Sequence, residues 1–341
     1  MLVLGIESTC DETACAIVKD GHEILANIVS SQIDLHREFG GVVPELACRR
    51  HVDVMIPILQ ETLAQAQLTL TDIDLIAVAS TPGLIGALLI GLHTAKALAL
   101  TLGKPFVGVN HVEAHLYAAY MSQSSPPAFP AIGVILSGGH TALIYLKGVC
   151  DNQLIGQTAD DALGEAFDKV AKLLNLPYPG GPQIERLALK GNPKRYPFKA
   201  GNVKGHPFNF SFSGLKTAVL YTIKGQNKDL APPSPLSQQD QCDLAASFQA
   251  VAFQDIIEKT RAAAQKFNCR SIFFGGGVTA NQALRQRFTS QLTDFQLYWP
   301  PTILSLDNAA MIAGLGYHQF LKRGGDSLEL EASPHSHFFT Q

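Results

Sequence analysis

Two histidines separated by three residues are the side chains of this sequence best suited to binding a metal ion. They stand in the segment His111-Val112-Glu113-Ala114-His115, and on a helix they would lie one turn apart on one face, able to bind the same ion. A third ligand is then needed, and Asp307, expected where a strand end meets a helix start, is the candidate. The alternatives are an ordinary pair of core or surface histidines and, for Asp307, a helix N-cap.

Glu113, between the two histidines, does not complete a zinc-peptidase motif. It follows His111 by two residues, which is roughly 200° round a helix. Its carboxylate is therefore expected to point away from the metal rather than toward a metal-bound water. The pattern predicts a metal site but argues against a peptidase of the HExxH type.

Two glycine turns are candidates for holding a nucleotide or a phosphate. Ser137-Gly138-Gly139 lies between two apolar runs, and Gly275-Gly276-Gly277 follows a buried-strand pattern and precedes a helical one. Backbone N–H groups in such turns form anion-binding nests, and glycine lets the backbone approach a flat ring or a phosphate closely. The alternative is an ordinary tight turn, for which Gly-Gly is also common.

Carboxylates on a predicted helix over residues 158–169 could bind a hydroxyl-rich ligand. Asp161, Glu165 and Asp168 are spaced by four and three residues, so they share one face of that helix. A proline-rich and glycine-rich turn at residues 177–182 is followed by Glu185, which is expected near the same face. The alternative is a solvated acidic face that neighbouring lysines neutralise.

The segment from Arg186 to Lys228 is a candidate for binding nucleic acid. It contains nine Lys or Arg residues and no Asp or Glu, in a chain whose net charge is −3. Within it we expect Lys194, Arg195 and Lys199 to contact the phosphates of a nucleic acid. Aromatic side chains are interleaved with these charges and predict faces for base stacking, although they are equally compatible with a core: Tyr196, Phe198, Phe208, Phe210, Phe212 and Tyr221.

Composition predicts a folded protein of two lobes. The chain has 341 residues, of which 46% are hydrophobic and 16% charged, which excludes disorder and low complexity. The most apolar stretch, residues 85–100, is interrupted by polar side chains, so no membrane role is expected. The start of the sequence lacks the pattern of a signal peptide, and its six cysteines include no CxxC pair; a cytoplasmic protein with reduced thiols is expected.

The spacing of apolar runs predicts duplicated α/β lobes around a central cleft. Residues 2–18 and 132–145 both show an apolar run, a small polar turn and a second apolar run, which is typical of a β-hairpin. Buried-strand patterns then alternate with helical ones such as 85–102 and 161–174. Residues 122–130 are the best linker candidate. We predict an N-terminal lobe over 1–128, a C-terminal lobe over 129–316, and a terminal segment, 317–341, that packs back on the first lobe.

Taken together, these segments resemble the bacterial tRNA N6-adenosine threonylcarbamoyltransferases, a family formerly called sialoglycoprotein endopeptidases. The resemblance runs nearly end to end and implies the two-lobed fold of actin, sugar kinases and heat-shock ATPases. It rests on nine segments: Glu7–Thr13, Pro44–His51, His111–His115, Ser137–Thr141, Asp160–Lys169, Tyr178–Gly181, Ser211–Lys216, Gly275–Asn281 and Asp307–Met311.

The resemblance implies transfer of a threonylcarbamoyl group from threonylcarbamoyl-adenylate to N6 of adenine 37, in tRNAs that read codons beginning with A, with release of AMP. It implies iron(II), with zinc as the alternative, on His111, His115 and Asp307, and substrate contacts from Ile135, Leu136, Ser137, Gly138, Gly139, Asp168, Gly181, Glu185 and Asn281. Its implied partners are a non-catalytic paralogue, a small ATPase and a separate synthase that makes the adenylate.

Three points stay open at this stage. Asp11 or Glu12 is expected to remove the proton from the attacking amine, without a choice between them. A metabolite kinase of the same fold is the first alternative function, although a kinase has no use for the histidine pair. A non-catalytic scaffold is the second, and the intact set of three metal ligands argues against it.

Overall fold

The chain folds into two compact units in the computed structural model, which describes residues 1–123, 127–225 and 236–335. Unit 1 comprises Met1–Pro127, Lys147–Asn152 and Tyr298–Gln341, and unit 2 comprises Ala128–Leu146 and Gln153–Leu297. Residues 298–316, predicted for the second lobe, are thus grouped with the first, because a helix that begins at Ala309 packs on the first sheet. The proposed linker lies partly outside the described residues.

Unit 1 is built on a five-stranded mixed sheet in the order β3-β2-β1-β4-β5. The predicted hairpin forms β1 and β2, which pair antiparallel, and β3 continues the antiparallel arrangement. β4 and β5 follow as parallel neighbours of β1. The strands are β1 (Leu2–Glu7), β2 (Glu12–Lys19), β3 (Glu23–Ser31), β4 (Leu75–Thr81) and β5 (Phe106–Asn110).

Unit 2 repeats this arrangement with five later strands in the order β10-β9-β6-β7-β8. β6 pairs antiparallel with β7 and parallel with β9, just as β1 pairs with β2 and β4. The predicted duplication is therefore confirmed at the level of sheet topology. The strands are β6 (Ala131–Leu136), β7 (Thr141–Gly148), β8 (Asp151–Gln157), β9 (Ser271–Gly275) and β10 (Gln296–Tyr298).

Helices cover both faces of the first sheet, which explains why its strands are apolar at successive positions rather than at alternate ones. Val3 packs on one side with α4 and α11, and its neighbour Leu4 packs on the other with α2 and α3. The helices of unit 1 are α1 (Ile33–Arg37), α2 (Pro44–Ala66), α3 (Ile85–Leu102), α4 (His111–Met121), α10 (Thr302–Ser305) and α11 (Ala309–Arg323).

By length and composition, α3 is the one helix among the described residues that could cross a membrane. One face of α3 is nevertheless buried against α2 and β4. That packing is what a core helix of a globular lobe shows.

Close packing fixes the start of α11, and with it Asp307. A β-carbon at Gly5 in β1 would collide with the backbone carbonyl of Ala309. Only glycine therefore lets the first turn of this helix lie directly on the sheet.

The helices of unit 2 enclose an aromatic core. Phe167 lies between Phe248, in an edge-to-face contact, and Phe253, in a stacked one, and all three are fully buried. These contacts join the first helix of the unit to its long central helix. The helices are α5 (Leu163–Leu173), α6 (Gly180–Ala188), α7 (Ser213–Lys224), α8 (Gln238–Lys266) and α9 (Gln282–Gln291). All six cysteines of the chain are free.

Candidate metal centre and substrate residues

The structure brings the three predicted metal ligands together within unit 1. His111 and His115 occupy the first turns of α4, whose N-cap, Asn110, accepts hydrogen bonds from two backbone N–H groups of that turn. Asp307 immediately precedes α11, and its neighbour Asn308 serves as the N-cap by accepting from Met311 N. The expected helix start is confirmed, but the expected strand end is wrong, since α10 precedes Asp307. Because Asn308 takes the capping role, the Asp307 carboxylate faces the histidines.

One ligand atom from each of the three residues lies within 4.8 Å of the others. Asp307 Oδ1 is 3.1 Å from His115 Nε2 and 3.6 Å from His111 Nε2. The two histidines are 6% and 1% exposed, and apart from the Asp307 carboxylate beside Nε2, neither ring nitrogen of His115 has a hydrogen-bond partner among the described residues. Buried imidazole nitrogens without a partner are costly, and a metal on the Asp307 side would supply one for Nε2.

Glu113 points away from this cluster, as the helical geometry predicts. Its carboxylate accepts a hydrogen bond of 2.6 Å from Asn152 Nδ2. Burial raises the pKa of Glu113 to about 7. The side chain is therefore part of the packing of unit 1 and not of a peptidase centre.

Glu7 is a component of the metal centre that the sequence analysis did not assign. It is fully buried at the end of β1, and its Oε2 lies 2.8 Å from His111 Nδ1. The carboxylate accepts the Nδ1 proton, so Nε2, on the side of Asp307, is the nitrogen left to bind a metal. Such a carboxylate behind a histidine ligand is common in metal sites. The available signal was a charged residue directly following a buried strand.

The electrostatics of the centre favour a cation. Burial by itself would lower the pKa of His111, but the carboxylates of Glu7 and Asp307 outweigh it and raise the pKa to about 9. Burial, together with the negative charges of Asp307 and Asp11, also holds the pKa of Glu12 well above its usual range. Two imidazoles and a carboxylate, surrounded by further carboxylates, fit a divalent metal such as iron(II) or zinc.

Asp11 lies on the turn between β1 and β2, and Glu12 is the first residue of β2, where burial and the charge of nearby Asp307 raise its pKa. The carbonyl of Asp11 accepts a hydrogen bond of 3.0 Å from Gln32 N, and Glu12 Oε1 accepts one of 3.0 Å from Ser31 Oγ. The turn also connects to the metal centre, since Thr9 N donates to Glu7 Oε1 over 2.6 Å. Both candidate proton acceptors are therefore held by β3 and by the segment that follows it.

In unit 2, the turn after β6 presents open backbone. Ser137 closes it, because its N–H donates to His140 O over 2.8 Å and its Oγ accepts from His140 N over 3.0 Å. Gly138 and Gly139 are exposed, with free space where a β-carbon would stand. Ile135 and Leu136 are buried in β6 and support the turn from below. The arrangement leaves room for a ligand over the two glycines.

The second glycine turn packs on the first. Gly276 has a φ of +93°, and a β-carbon there would lie 2.5 Å from the carbonyl oxygen of Leu136. Glycine is therefore required at 276 by the backbone conformation and by the neighbouring strand, whereas the sequence had suggested approach to a ligand. Gly275 ends β9, and Gly277 begins a 3-10 turn.

The remaining predicted substrate residues form or contact helix N-termini of unit 2. Asp168 Oδ1 accepts from Gly180 N over 2.7 Å, at the start of α6, and next to it Gly181 faces open space. Glu185 Oε1 accepts from Gln282 N over 2.7 Å. Asn281 is the N-cap of α9 and accepts from Leu284 N. The side chains of Asp168, Glu185 and Asn281 thus each stabilise a helix start, in addition to the substrate binding predicted for them.

The predicted helix face is only partly formed, because α5 begins at Leu163 and Asp161 lies before it. Two of the three carboxylates are neutralised, as the alternative interpretation held. Lys169 contacts Asp161 at 2.5 Å and Glu165 at 2.8 Å, and Lys216 of α7 also pairs with Asp161. Asp160, just before them, accepts hydrogen bonds from both side chain and backbone of Ser213 at the start of α7. Asp168, the third predicted residue of this face, instead accepts from the start of α6.

The basic segment is partly as predicted. Lys194, Arg195 and Lys199 are all exposed, whereas Lys228 lies outside the described residues. The prediction that the interleaved aromatics offer stacking faces is wrong for three of them, because they are buried in the core of unit 2: Phe208, Phe210 and Phe212. Two half-buried rings remain near the cations, with Tyr196 stacked on Phe198 and Arg195 placed over the Tyr196 ring.

Comparison with solved structures defines the class of protein. The chain matches full-length HypF with a TM-score of 0.62 at 12% identity, over 95% of this chain and 47% of that one. It matches component A of the (R)-2-hydroxyglutaryl-CoA dehydratase of Acidaminococcus fermentans with a TM-score of 0.51 at 15% identity, over 94% and 98% of the two chains. With its two topologically repeated sheets, the chain has the two-lobed actin-like ATPase fold.

Within that class, the chain belongs to the tRNA N6-adenosine threonylcarbamoyltransferase family, whose sequence profile matches residues 23–314. A member from Protochlamydia amoebophila is 63% identical over 97% of this chain and 96% of its own length. Another from Symbiobacterium thermophilum is 48% identical over 98% and 96%. The chain is thus a transferase that forms threonylcarbamoyladenosine in tRNA, and neither the kinase nor the scaffold alternative finds support in these matches.

The Glu7 contact leads to a prediction about metal affinity. Glu7→Gln removes the charge that orients His111, so metal affinity should fall by about 10- to 100-fold. Glu113→Gln is the matched control, since it neutralises a buried carboxylate on the ligand helix itself. Competition with a chelator measures both affinities, and equal values for the two variants would exclude a role for Glu7.

Proposed function

We propose that a divalent metal on His111, His115 and Asp307 takes part in transferring the threonylcarbamoyl group from threonylcarbamoyl-adenylate to the N6 amine of an adenine in tRNA. The observation that carries the proposal is the buried cluster of two imidazoles and a carboxylate, oriented by Glu7. When bound, the metal supplies Lewis-acid polarisation of the donor carbonyl. Iron(II) is our first choice, because two histidines and one carboxylate are typical of non-haem iron(II) sites, and zinc is the second.

The chain's own residues divide the remaining tasks. Of the two candidates, Asp11 is the first choice to accept the proton that the N6 amine loses as it attacks the carbonyl, since burial and the neighbouring carboxylates raise the pKa of Glu12 and keep its own proton bound. The open backbone at Ser137–Gly139 binds the donor's anionic portion, with the glycines 275–277 behind it, and AMP leaves. Asp168, Gly181, Glu185 and Asn281 bind hydroxyl and amide groups of the donor. The reaction takes place in the cytoplasm, where tRNA is available.

The transfer is tested by mass spectrometry of nucleosides from tRNA incubated with the protein and threonylcarbamoyl-adenylate, with its proposed partners added. His115→Ala and Asp307→Ala should lose metal and reduce transfer by about 100-fold or more. His93→Ala, which changes an exposed histidine of α3, should keep both. Full transfer by metal-free His115→Ala would exclude a role for the metal.

The basic segment is our proposed tRNA contact. Positively charged residues supply the salt-dependent part of RNA binding, and three of them, Lys194, Arg195 and Lys199, stand exposed beside the ring pair of Tyr196 and Phe198. The remainder of the chain carries a net negative charge and would repel a polyanion. Steering of tRNA to this subunit therefore depends on the basic segment.

Reversal of these charges gives a quantitative test. The triple change of Lys194, Arg195 and Lys199 to Glu should weaken tRNA binding and flatten its salt dependence by up to about three units of log–log slope. Reversal of Lys172, Lys266 and Arg270, which are also exposed on unit 2, changes the net charge equally and should leave the slope near that of the native protein. Identical slopes for both triple variants would place the tRNA elsewhere.

We further propose that unit 1 binds the non-catalytic paralogue through adjacent faces of α2 and α3, while a small ATPase joins the assembly. Val52 and Ile56 on α2, and Ile85 and Leu89 on α3, are 37–63% exposed and spaced one turn apart on packed helices. Paired exposed apolar residues of this kind mark interaction surfaces. A paralogue of the same fold offers the corresponding pair of helices.

The paralogue interface is tested by substitution on this surface. Ile56→Asp should weaken the complex with the paralogue by more than about 30-fold, as loss of a central apolar contact does. Leu100→Asp changes a more exposed leucine near the opposite end of α3 and should leave the affinity unchanged. Analytical ultracentrifugation of the mixed subunits measures both, and an unaltered complex with Ile56→Asp would rule this surface out.

A further inference from the structure

A single imidazole spans the turn that carries Asp11 and Glu12. His51 of α2 is fully buried; its Nδ1 lies 2.7 Å from Thr13 Oγ1 and its Nε2 lies 3.0 Å from the carbonyl oxygen of Cys10. A carbonyl oxygen can only accept, so Nε2 carries the proton and Nδ1 accepts from the threonine hydroxyl. Both ring nitrogens of His51 are therefore hydrogen-bonded, one to Cys10 and the other to Thr13.

The two hydrogen bonds of His51 restrict movement of the turn on the side that faces α2. If Cys10 or Thr13 moved, a buried nitrogen of His51 would lose its hydrogen-bond partner, which destabilises the folded state. The other side is held as well, by Gln32 N on the Asp11 carbonyl and by Ser31 Oγ on the Glu12 carboxylate. Hydrogen bonds therefore hold the turn on both sides. Burial also lowers the pKa of His51, so the ring stays neutral and Nδ1 can accept from the Thr13 hydroxyl.

We propose that His51 is a positioning residue of the transfer reaction, which acts by holding the Cys10–Thr13 turn so that the carboxylates of Asp11 and Glu12 stay in place for proton removal. The inference rests on the proposed function of those two carboxylates. Misplacement of a catalytic group by about 1 Å can cost 100-fold in rate. A histidine that touches neither substrate nor metal can therefore affect turnover through the turn alone.

Thr13→Val is the informative variant, because it removes the hydroxyl while keeping the shape of a strand residue. Thr62→Val is its matched control: Thr62 is equally buried on the same helix as His51, and its hydroxyl donates to Ile58 O and Cys15 O. Both variants lose one buried hydroxyl that links α2 to β2, so both should lower the melting temperature by a similar amount. Only the first disturbs the turn.

The expected result separates turnover from stability. At a temperature where both proteins are folded, Thr13→Val should lower kcat about 10-fold or more with little change in KM for tRNA, and Thr13→Ser should restore most of it. The metal content of Thr13→Val, Thr13→Ser and Thr62→Val should equal that of the native protein. Hydrogen exchange at residues 10–13, followed by mass spectrometry, should quicken in Thr13→Val and not in Thr62→Val. A kcat and exchange rate in Thr13→Val equal to those of Thr62→Val would overturn the inference.

Parallel assays of Asp11→Asn and Glu12→Gln keep the two ideas distinguishable. If both retain native kcat, the proposed proton acceptors are wrong, and the role given to His51 fails with them. If either loses activity while Thr13→Val does not, the proton acceptors stand and only the positioning role is wrong. His51→Gln, which keeps an N–H for the Cys10 carbonyl and loses the acceptor for Thr13, should fall between Thr13→Val and the native protein.

Discussion

The buried hydrogen bond between His111 and Glu7 is the interaction on which the candidate metal centre depends. It joins the end of β1 to the first turn of α4, and in doing so it fixes which nitrogen of His111 is free to bind a metal. Glu7 also accepts from Thr9 N, so the same carboxylate sets the start of the turn that carries Asp11. The Glu7 carboxylate thus orients the ligand His111 and also helps to place the candidate proton acceptor Asp11.

The third ligand reaches this centre through close packing. Asp307 precedes α11, and that helix lies on β1 where Gly5 meets the Ala309 carbonyl. Because Asn308 provides the N-cap, the aspartate is not needed to satisfy the helix. Three chain segments far apart in sequence therefore meet because one sheet, covered by α4 and α11, positions all of them.

Unit 2 uses the same strand order for a different purpose. Its first hairpin turn carries two open glycines where the corresponding turn of unit 1 carries Asp11 and Glu12. Gly276 packs against the end of β6 beneath this turn, and Asp168, Glu185 and Asn281 fix the starts of neighbouring helices. Duplication of the fold thus supplied two equivalent turns, one rich in carboxylates and one rich in exposed backbone N–H groups.

The sequence by itself determined the local features of this protein: both hairpins, the buried strands, α3 to its last residue and the helical histidine pair. Periodicity and spacing suffice there, because they depend on neighbours along the chain. Only the tertiary structure decided that Glu7 backs His111, that His51 spans the turn, that Phe208, Phe210 and Phe212 are core residues, and that residues 298–316 join unit 1. Those facts depend on contacts between segments distant in sequence, which no local pattern records.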